Sequence, residues 1–209
     1  MTRTRVHFVR HGEVFNPEKV LYGRLPGYRL SDVGVSMADV TAAALEGHDV
    51  VALYSSPLER AQQTAAPFAA RFGLEVRLDD RLLEAENVFE GLRVDAKMLR
   101  HPKQWRHLRN PFAPSWGERY PLLAARMMGI AEHARDAARG HEAVCVSHQL
   151  PIYTLRRFLE GKRLWHHPGH RECALASITT VEWDDDRVVG VSYQDPAAHL
   201  VTGPQIPGA

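Results

Sequence analysis

The sequence has 209 residues, of which 44% are hydrophobic and 24% are charged, and its formal net charge is +1. This balance is typical of a soluble globular domain with a sizeable core, and it gives no reason to expect nucleic acid or a membrane surface as a partner. Two cysteines are too few for a disulfide framework, so we expect a reducing, cytoplasmic location. The first apolar stretch, VHFV, is too short for a secretory signal, and no run is long enough to predict a transmembrane helix.

Strand-like and helix-like patterns alternate through the first part of the chain. Short runs rich in β-branched and aromatic residues predict strands, and segments with start and stop residues predict helices. Ser31 is the expected N-cap of the first helix, Pro57 opens the second, and Gly73 ends it. The predicted elements are strands at 5–10, 50–56 and 74–78 and helices at about 32–45 and 57–72, with a loop over 14–30.

The pattern breaks at about residues 85–117, where prolines and tryptophans accumulate, and we interpret this segment as a small cap insertion of short helices. A long helix then runs to about residue 139, and its apolar stripe consists of Leu123, Met127, Ile130 and Ala134. The remaining predicted elements are a strand at 143–148, a helix at 149–160, a hairpin at 174–193, and a Pro/Gly-rich tail at about 196–209 that lies over the surface or is disordered.

This order of elements predicts one α/β domain over residues 1–209. Strands that alternate with helices form a mostly parallel sheet covered on both faces, and the hairpin adds an antiparallel edge. In such sheets ligands bind beyond the carboxyl ends of the strands. Functional side chains are therefore expected where the strands end.

Three of the predicted strands lead into side chains that can do chemistry. Arg10 and His11 end the first strand, Arg60 lies one turn into the helix after the second, and His148 ends the strand after the long helix. Because the carboxyl ends of parallel strands meet at one edge of a sheet, we expect these side chains to face one crevice.

His11 is the candidate nucleophile, since a neutral imidazole nitrogen attacks well near pH 7 without a separate base. Neighbouring arginines disfavour its protonated form and bind phosphate oxygens as planar, two-pronged donors. Gly12 lets the backbone turn sharply beside a ligand. Arg60 and a protonated His148 would add positive donors for the phosphoryl oxygens, and Glu84 is the candidate acid for the leaving oxygen.

Four segments in order, FVRHGE, YSSPLERAQQTA, RLLEAENVFEG and CVSHQ, resemble the histidine phosphatase superfamily, also called phosphoglycerate-mutase-like. The resemblance covers roughly residues 5–182. The combination is far more specific than a bare RHG, which recurs by chance.

This resemblance implies a function and a site. It implies a three-layer αβα sandwich, a phosphohistidine intermediate on His11, and no metal or other cofactor. Arg10, Arg60 and His148 would form the phosphate pocket, and Glu84 would be the proton donor.

The chain also departs from the family pattern. Val14 replaces the usual threonine, and Asn16, a candidate phosphate ligand, comes one residue early. Gln149 stands where the family usually has glycine, which would narrow the pocket or add a ligand contact. Arg24 resembles a family position that borders the pocket, although an exposed loop arginine explains it nearly as well.

A competing pattern lies in HHPGHREC, which places His166, His167, His170 and Cys173 within eight residues. Imidazole and thiolate are zinc ligands, but ligands this crowded rarely close a tetrahedron in one short loop. We favour a surface loop with chance histidines, and we expect no metal in the active site.

The sequence thus predicts a metal-independent phosphatase that hydrolyses a phosphomonoester through phosphohistidine, with a small phosphorylated substrate as its partner. A cofactor-dependent phosphoglycerate mutase and a non-catalytic module that binds a phospho-ligand are the alternatives. A homodimer is compatible with the sequence, which decides neither the oligomeric state nor the substrate.

Overall fold

Six strands form one mixed sheet in the computed structural model, which describes residues 2–93 and 117–201. The strands are β1 Arg3–Arg10, β2 Val50–Ser55, β3 Arg77–Leu78, β4 Glu142–Ser147, β5 Ile178–Asp184 and β6 Arg187–Gln194. The helices of the described ranges are α1 Asp32–Ala43, α2 Glu59–Phe72, α3 Tyr120–Ala137 and α4 Gln149–Leu159.

The strand order in the sheet is β3-β2-β4-β1-β5-β6. The pairs β2–β3, β2–β4 and β1–β4 are parallel, whereas β5 and β6 add an antiparallel edge beside β1. The predicted mixed sheet is therefore confirmed. Because β1 and β4 are parallel neighbours, their carboxyl ends, and the residues that follow them, come together.

Both faces of the sheet are covered, which confirms the layered α/β architecture. Side chains alternate along a strand, so Val9 packs with α1 and α2 on one face, while Val6 and Phe8 pack with α3 and α4 on the other. The predicted apolar stripe of the long helix is buried in the second of these cores, and its members are Leu123, Met127, Ile130 and Ala134.

Some predicted boundaries differ from the observed ones. The second helix begins at Glu59 rather than at Pro57, because Leu58 still has an extended backbone with ψ 136°. It ends as predicted at Gly73, whose φ is 64°. Only two residues of the third predicted strand pair with β2, and the first helix ends at Ala43, two residues early.

The predicted cap and tail lie largely outside the described residues. Of the cap, only 85–93 and Gly117 are described, and Asn87 pairs with Gly117 in a short antiparallel bridge. The single-domain organisation and the cap stay predictions. The first residues of the predicted tail are packed, since Ala197 is buried against Met37. No helix in the two described ranges has the length and apolar character needed to cross a bilayer.

Candidate active site

The structure brings together the strand ends that the sequence singled out. Arg10 is in register with Ser147, and the His11 amide donates to the Ser147 carbonyl at 3.1 Å. The rings of His11 and His148 lie 5.1 Å apart, centroid to centroid, and meet edge-on. Both histidines are buried, as are Arg10 and Arg60. We call these four residues, together with Glu84, the His11 site.

One hydrogen bond determines which nitrogen of His11 is free to react. Its Nδ1 lies 2.8 Å from the carbonyl oxygen of Gly12, which can only accept, so Nδ1 carries the proton. In a neutral ring the lone pair is then on Nε2. Burial, with the charges of Arg60 and Arg10, holds the pKa of His11 well below its usual value, which keeps the ring neutral. The arrangement presents a nucleophilic Nε2.

Gly12 is required by a close backbone approach rather than by an unusual φ. Its amide donates to Thr64 Oγ1 at 3.1 Å, and a Cβ built on it would lie 2.4 Å from the carbonyl oxygen of Gly34 in α1. Only glycine allows the loop after β1 to pass this close to the first turn of α1. The same contact fixes the carbonyl that holds His11.

Arg10 and Arg60 form the positive wall of the site. Arg10 donates to the Cys173 carbonyl at 2.7 Å, and Arg60 donates to the Gly23 carbonyl and stacks 4.7 Å over the ring of Tyr22. The Nε atom of each side chain is buried and has no hydrogen-bond partner among the described residues. Neither arginine forms an ion pair within the same part of the chain. Two buried guanidinium groups with unused donors suit an oxyanion ligand.

His148 is held neutral in the structure. Its Nδ1 accepts from Arg60 at 3.4 Å, so its Nε2 carries the proton and donates to Ser56 Oγ at 2.9 Å. Burial, followed by the charges of Arg60 and His11, lowers the pKa of His148 well below its usual value. Burial and the neighbouring positive charges favour the neutral ring in this arrangement, and a protonated His148 beside bound phosphate stays a prediction.

Glu84 follows a short 3₁₀ turn at Asp80–Leu82 and is partly buried. Its Oε1 accepts from the Ala85 amide at 2.8 Å. Burial raises the pKa of Glu84, although the bond from Ala85 and the charge of Arg60 oppose the rise. A carboxyl group that holds its proton to higher pH suits a general acid.

The structure gives Arg24 and Asn16 different surroundings. Arg24 lies beside the His11 site, since its Nε donates to the Glu84 carbonyl at 2.7 Å and its Nη1 pairs with Glu86 at 3.1 Å. Asn16 closes its own loop, because its amide both donates to and accepts from the backbone of Val20. These local bonds explain Asn16 without a ligand, and its contact with phosphate stays a prediction.

Gln149 links the His11 site to an arginine that the sequence analysis missed. Its Nε2 donates to the Cys173 carbonyl, which also binds Arg10, and its Oε1 accepts from Arg171 NH1 at 3.4 Å. Arg171 donates to His166 at 2.9 Å and has no acidic partner in the described ranges. Burial lowers the pKa of Arg171, and the charge of Glu84 raises it. The clue in the sequence was a lone arginine among the histidines of HHPGHREC.

The zinc pattern of that loop does not assemble. The Nε2 of His166 accepts from Arg171, and the Nδ1 of His167 accepts from the Gly169 amide. Across residues 2–93 and 117–201 a group of three convergent ligand atoms forms elsewhere, at His7, His48 and Glu142.

Comparisons with known proteins agree with this geometry. The model of the histidine phosphatase superfamily (branch 1) matches residues 6–196. An uncharacterised protein of Mycobacterium tuberculosis is 56% identical over 197 residues, which cover 93% of this chain and 98% of its own. Phosphoserine phosphatase 1 of Hydrogenobacter thermophilus is 29% identical and is covered over 87% of each chain. The structure of mycobacterial glucosyl-3-phosphoglycerate phosphatase superposes with a TM-score of 0.70 and 26% identity, over 86% of this chain and 90% of that one.

Proposed function

The chain belongs to the histidine phosphatase superfamily, branch 1, and we propose that it is a metal-independent phosphatase that hydrolyses a small phosphomonoester through a phosphohistidine. One observation carries the proposal: a neutral His11 presents a free Nε2 between two buried arginines that have unused donors. Phosphoryl transfer depends mainly on positioning and on stabilisation of the equatorial oxygens, and these groups provide both.

In the first step, Nε2 of His11 attacks phosphorus, and the bond from phosphorus to the leaving oxygen breaks. Arg10 and Arg60 hold the phosphoryl oxygens through their free Nε–H groups. Glu84 donates its proton to the leaving oxygen, so that an alcohol departs rather than an alkoxide. The bond from Nδ1 to the Gly12 carbonyl keeps the ring oriented throughout.

In the second step, water attacks the phosphohistidine. The Glu84 carboxylate left by the first step takes a proton from that water, the bond from nitrogen to phosphorus breaks, and inorganic phosphate leaves. Both His11 and Glu84 return to their starting protonation states. Burial and the charges of neighbouring arginines now lower the pKa of His148; a bound phosphoryl dianion would offset those charges, and His148 would then become a third positive donor.

Arg171 supports a narrower proposal about the substrate. This arginine has neutral partners and lies beyond Gln149 from Arg10, so its charge is available to a ligand. We propose a substrate that carries a second anionic group, such as a carboxylate, beside its phosphate. Two of the similar proteins are named as phosphatases of phosphoserine and of glucosyl-3-phosphoglycerate, and both compounds carry a carboxylate beside the phosphate.

A panel of phosphomonoesters assayed with the wild type and with His11→Ala tests the function. We expect turnover by the wild type only, and a labelled substrate quenched early should leave an acid-labile, base-stable adduct on His11. Equal turnover by the two proteins would refute the assignment of His11.

A mutase is the competing outcome. Isomerisation of 3-phosphoglycerate, stimulated by 2,3-bisphosphoglycerate and faster than phosphate release, would identify one. Phosphate binding without any turnover of the panel would identify a non-catalytic module.

A further inference from the structure

Three side chains meet at the amino end of the sheet, on the opposite side from the His11 site. His7 lies in β1, Glu142 begins β4, and His48 lies in the turn before β2. Their ligand atoms, Nε2 of His7, Nδ1 of His48 and an oxygen of Glu142, all lie within 4.8 Å of one another. We call these three residues the His7 cluster.

The two imidazoles converge on one oxygen atom. Nε2 of His7 and Nδ1 of His48 each lie 2.7 Å from Oε2 of Glu142, and the two rings meet edge-on with centroids 5.7 Å apart. The cluster therefore places two nitrogen ligands and one carboxylate oxygen side by side.

The remaining atoms of the cluster are oriented by a second layer of contacts. Nδ1 of His7 lies 2.8 Å from Thr180 Oγ1, and Oε1 of Glu142 accepts from Arg5 at 3.0 Å. Metal-bound histidines almost always donate their other ring N–H to an oxygen, and ligating carboxylates are themselves hydrogen-bonded. The carboxylate meets this condition as it stands, and His7 meets it once its ring proton lies on Nδ1.

From this geometry we propose that His7, His48 and Glu142 bind one zinc ion, with solvent as the fourth ligand. Two nitrogens and one carboxylate oxygen are a ligand set that zinc accepts. His48 is 35% exposed, whereas His7 and Glu142 are 3% and 12% exposed, so the open position faces solvent on the His48 side.

The step from hydrogen-bonded cluster to metal site is small. Ligand atoms around a tetrahedral zinc are about 3.3 Å apart. Each nitrogen must therefore retreat from Oε2 by about half an ångström, and the two nitrogens, which lie within 4.8 Å of one another, must also come to about this separation. His48 can do so because it lies in a turn. On zinc binding, the proton of each ring would lie on the nitrogen away from the metal. That nitrogen would donate to Thr180 Oγ1 in His7 and to solvent in His48.

Such an ion would tie β1, β4 and the turn before β2 together, away from the reacting atoms of the His11 site. The inference does not depend on the proposed phosphatase function. Chelated protein should keep its activity at low temperature and lose heat stability.

Calorimetric titration of chelator-treated protein with zinc tests the site. We expect one zinc per chain, a raised melting temperature, and, with cobalt(II) as a spectroscopic substitute, the visible absorption of a tetrahedral ion. His48→Gln, at a half-exposed turn where folding should survive, should weaken binding by at least about tenfold. Glu142→Gln should do the same while nearly preserving the side-chain shape.

Two control variants identify the ligands. His141→Gln changes a neighbouring histidine that pairs with Asp49 instead, at 2.6 Å. The triple variant His166→Gln, His167→Gln and His170→Gln removes the crowded loop histidines. Both should bind zinc as the wild type does. If the wild type binds no zinc, or if affinity falls in either control and not in His48→Gln, the inference is overturned.

Discussion

Replacing Gly12 by alanine should damage both folding and catalysis, because the new Cβ has no room. It would lie 2.4 Å from the carbonyl oxygen of Gly34, and Cβ atoms essentially never approach a neighbour closer than 3.0 Å. The obstacle is backbone at the first turn of α1, which cannot rotate away as a side chain would. The loop after β1 must therefore move by at least about 0.6 Å, the difference between these two distances.

The magnitudes follow from that displacement. Overpacking a well-packed site costs about 1–3 kcal/mol, and for a protein of this size each kcal/mol lowers the melting temperature by about 2–4 °C. The Gly12 carbonyl that orients His11 moves with the loop. A misplacement near 1 Å can cost about 10²-fold in rate, so we expect kcat to fall by about 10- to 100-fold.

Thermal unfolding and steady-state phosphatase assays of Gly12→Ala measure these effects. Gly129→Ala is the matched control, since it adds the same methyl group within helix α3, where the nearest atom is 3.8 Å away on a flexible Arg81 side chain. It should leave kcat unchanged and add about 0.5–1 kcal/mol of stability. A Gly12→Ala protein with the melting temperature and kcat of the wild type would refute the close-approach argument.

Three further predictions follow from the charges. The proposed reaction needs a neutral His11 and a protonated Glu84. Burial is the main cause that lowers the pKa of His11 and raises that of Glu84. We therefore expect kcat/KM to stay high at pH values below the usual imidazole pKa and to decline as rising pH removes the Glu84 proton. Glu84→Gln should lower kcat by about 10²–10⁴-fold and abolish that alkaline decline; an alkaline limb identical to that of the wild type would exclude Glu84 as the acid. Arg171→Gln should raise KM more than it lowers kcat for substrates with a second anionic group, and equal KM changes for substrates that lack this group would contradict the role of Arg171. Because the pKa of Glu142 falls from 4.5 to about 2 on folding, its contribution to the free energy of unfolding should be lost as pH drops through that window, and acid titrations of Glu142→Gln should show a smaller loss over the same range.

The sequence predicted the centre of the site because strand ends can be recognised locally. An apolar run that stops at Arg10 and His11 marks the carboxyl end of a strand, and parallel strands place such ends side by side. His148 could be located by the same rule. Its neutral state could not be predicted, since it depends on burial and on the charge of Arg60, and both arise only through tertiary packing.

The sequence could not predict contacts between segments that lie far apart along the chain. The approach of Gly12 to Gly34 depends on how α1 docks, and Arg171 is linked to the His11 site by a hydrogen bond to Gln149 that only tertiary packing forms. The sequence also gave no sign that His7, His48 and Glu142 converge. His7 and His48 are separated along the chain, and only the pairing of strands brings them to Glu142, whereas the crowded loop histidines bind their own backbone and Arg171.

The position of β1 in the sheet affects the order in which this protein matures. The strand that precedes His11 is made first, but it lies between β4 and β5, which are made after most of the chain. During synthesis both edges of β1 therefore stay unpaired until β4 and β5 have been made. Long-range pairing of this kind is slow, and exposed strand edges tend to aggregate. A nascent chain that ends before β4 lacks both the parallel partner strand of β1 and His148, so the His11 site cannot assemble on it.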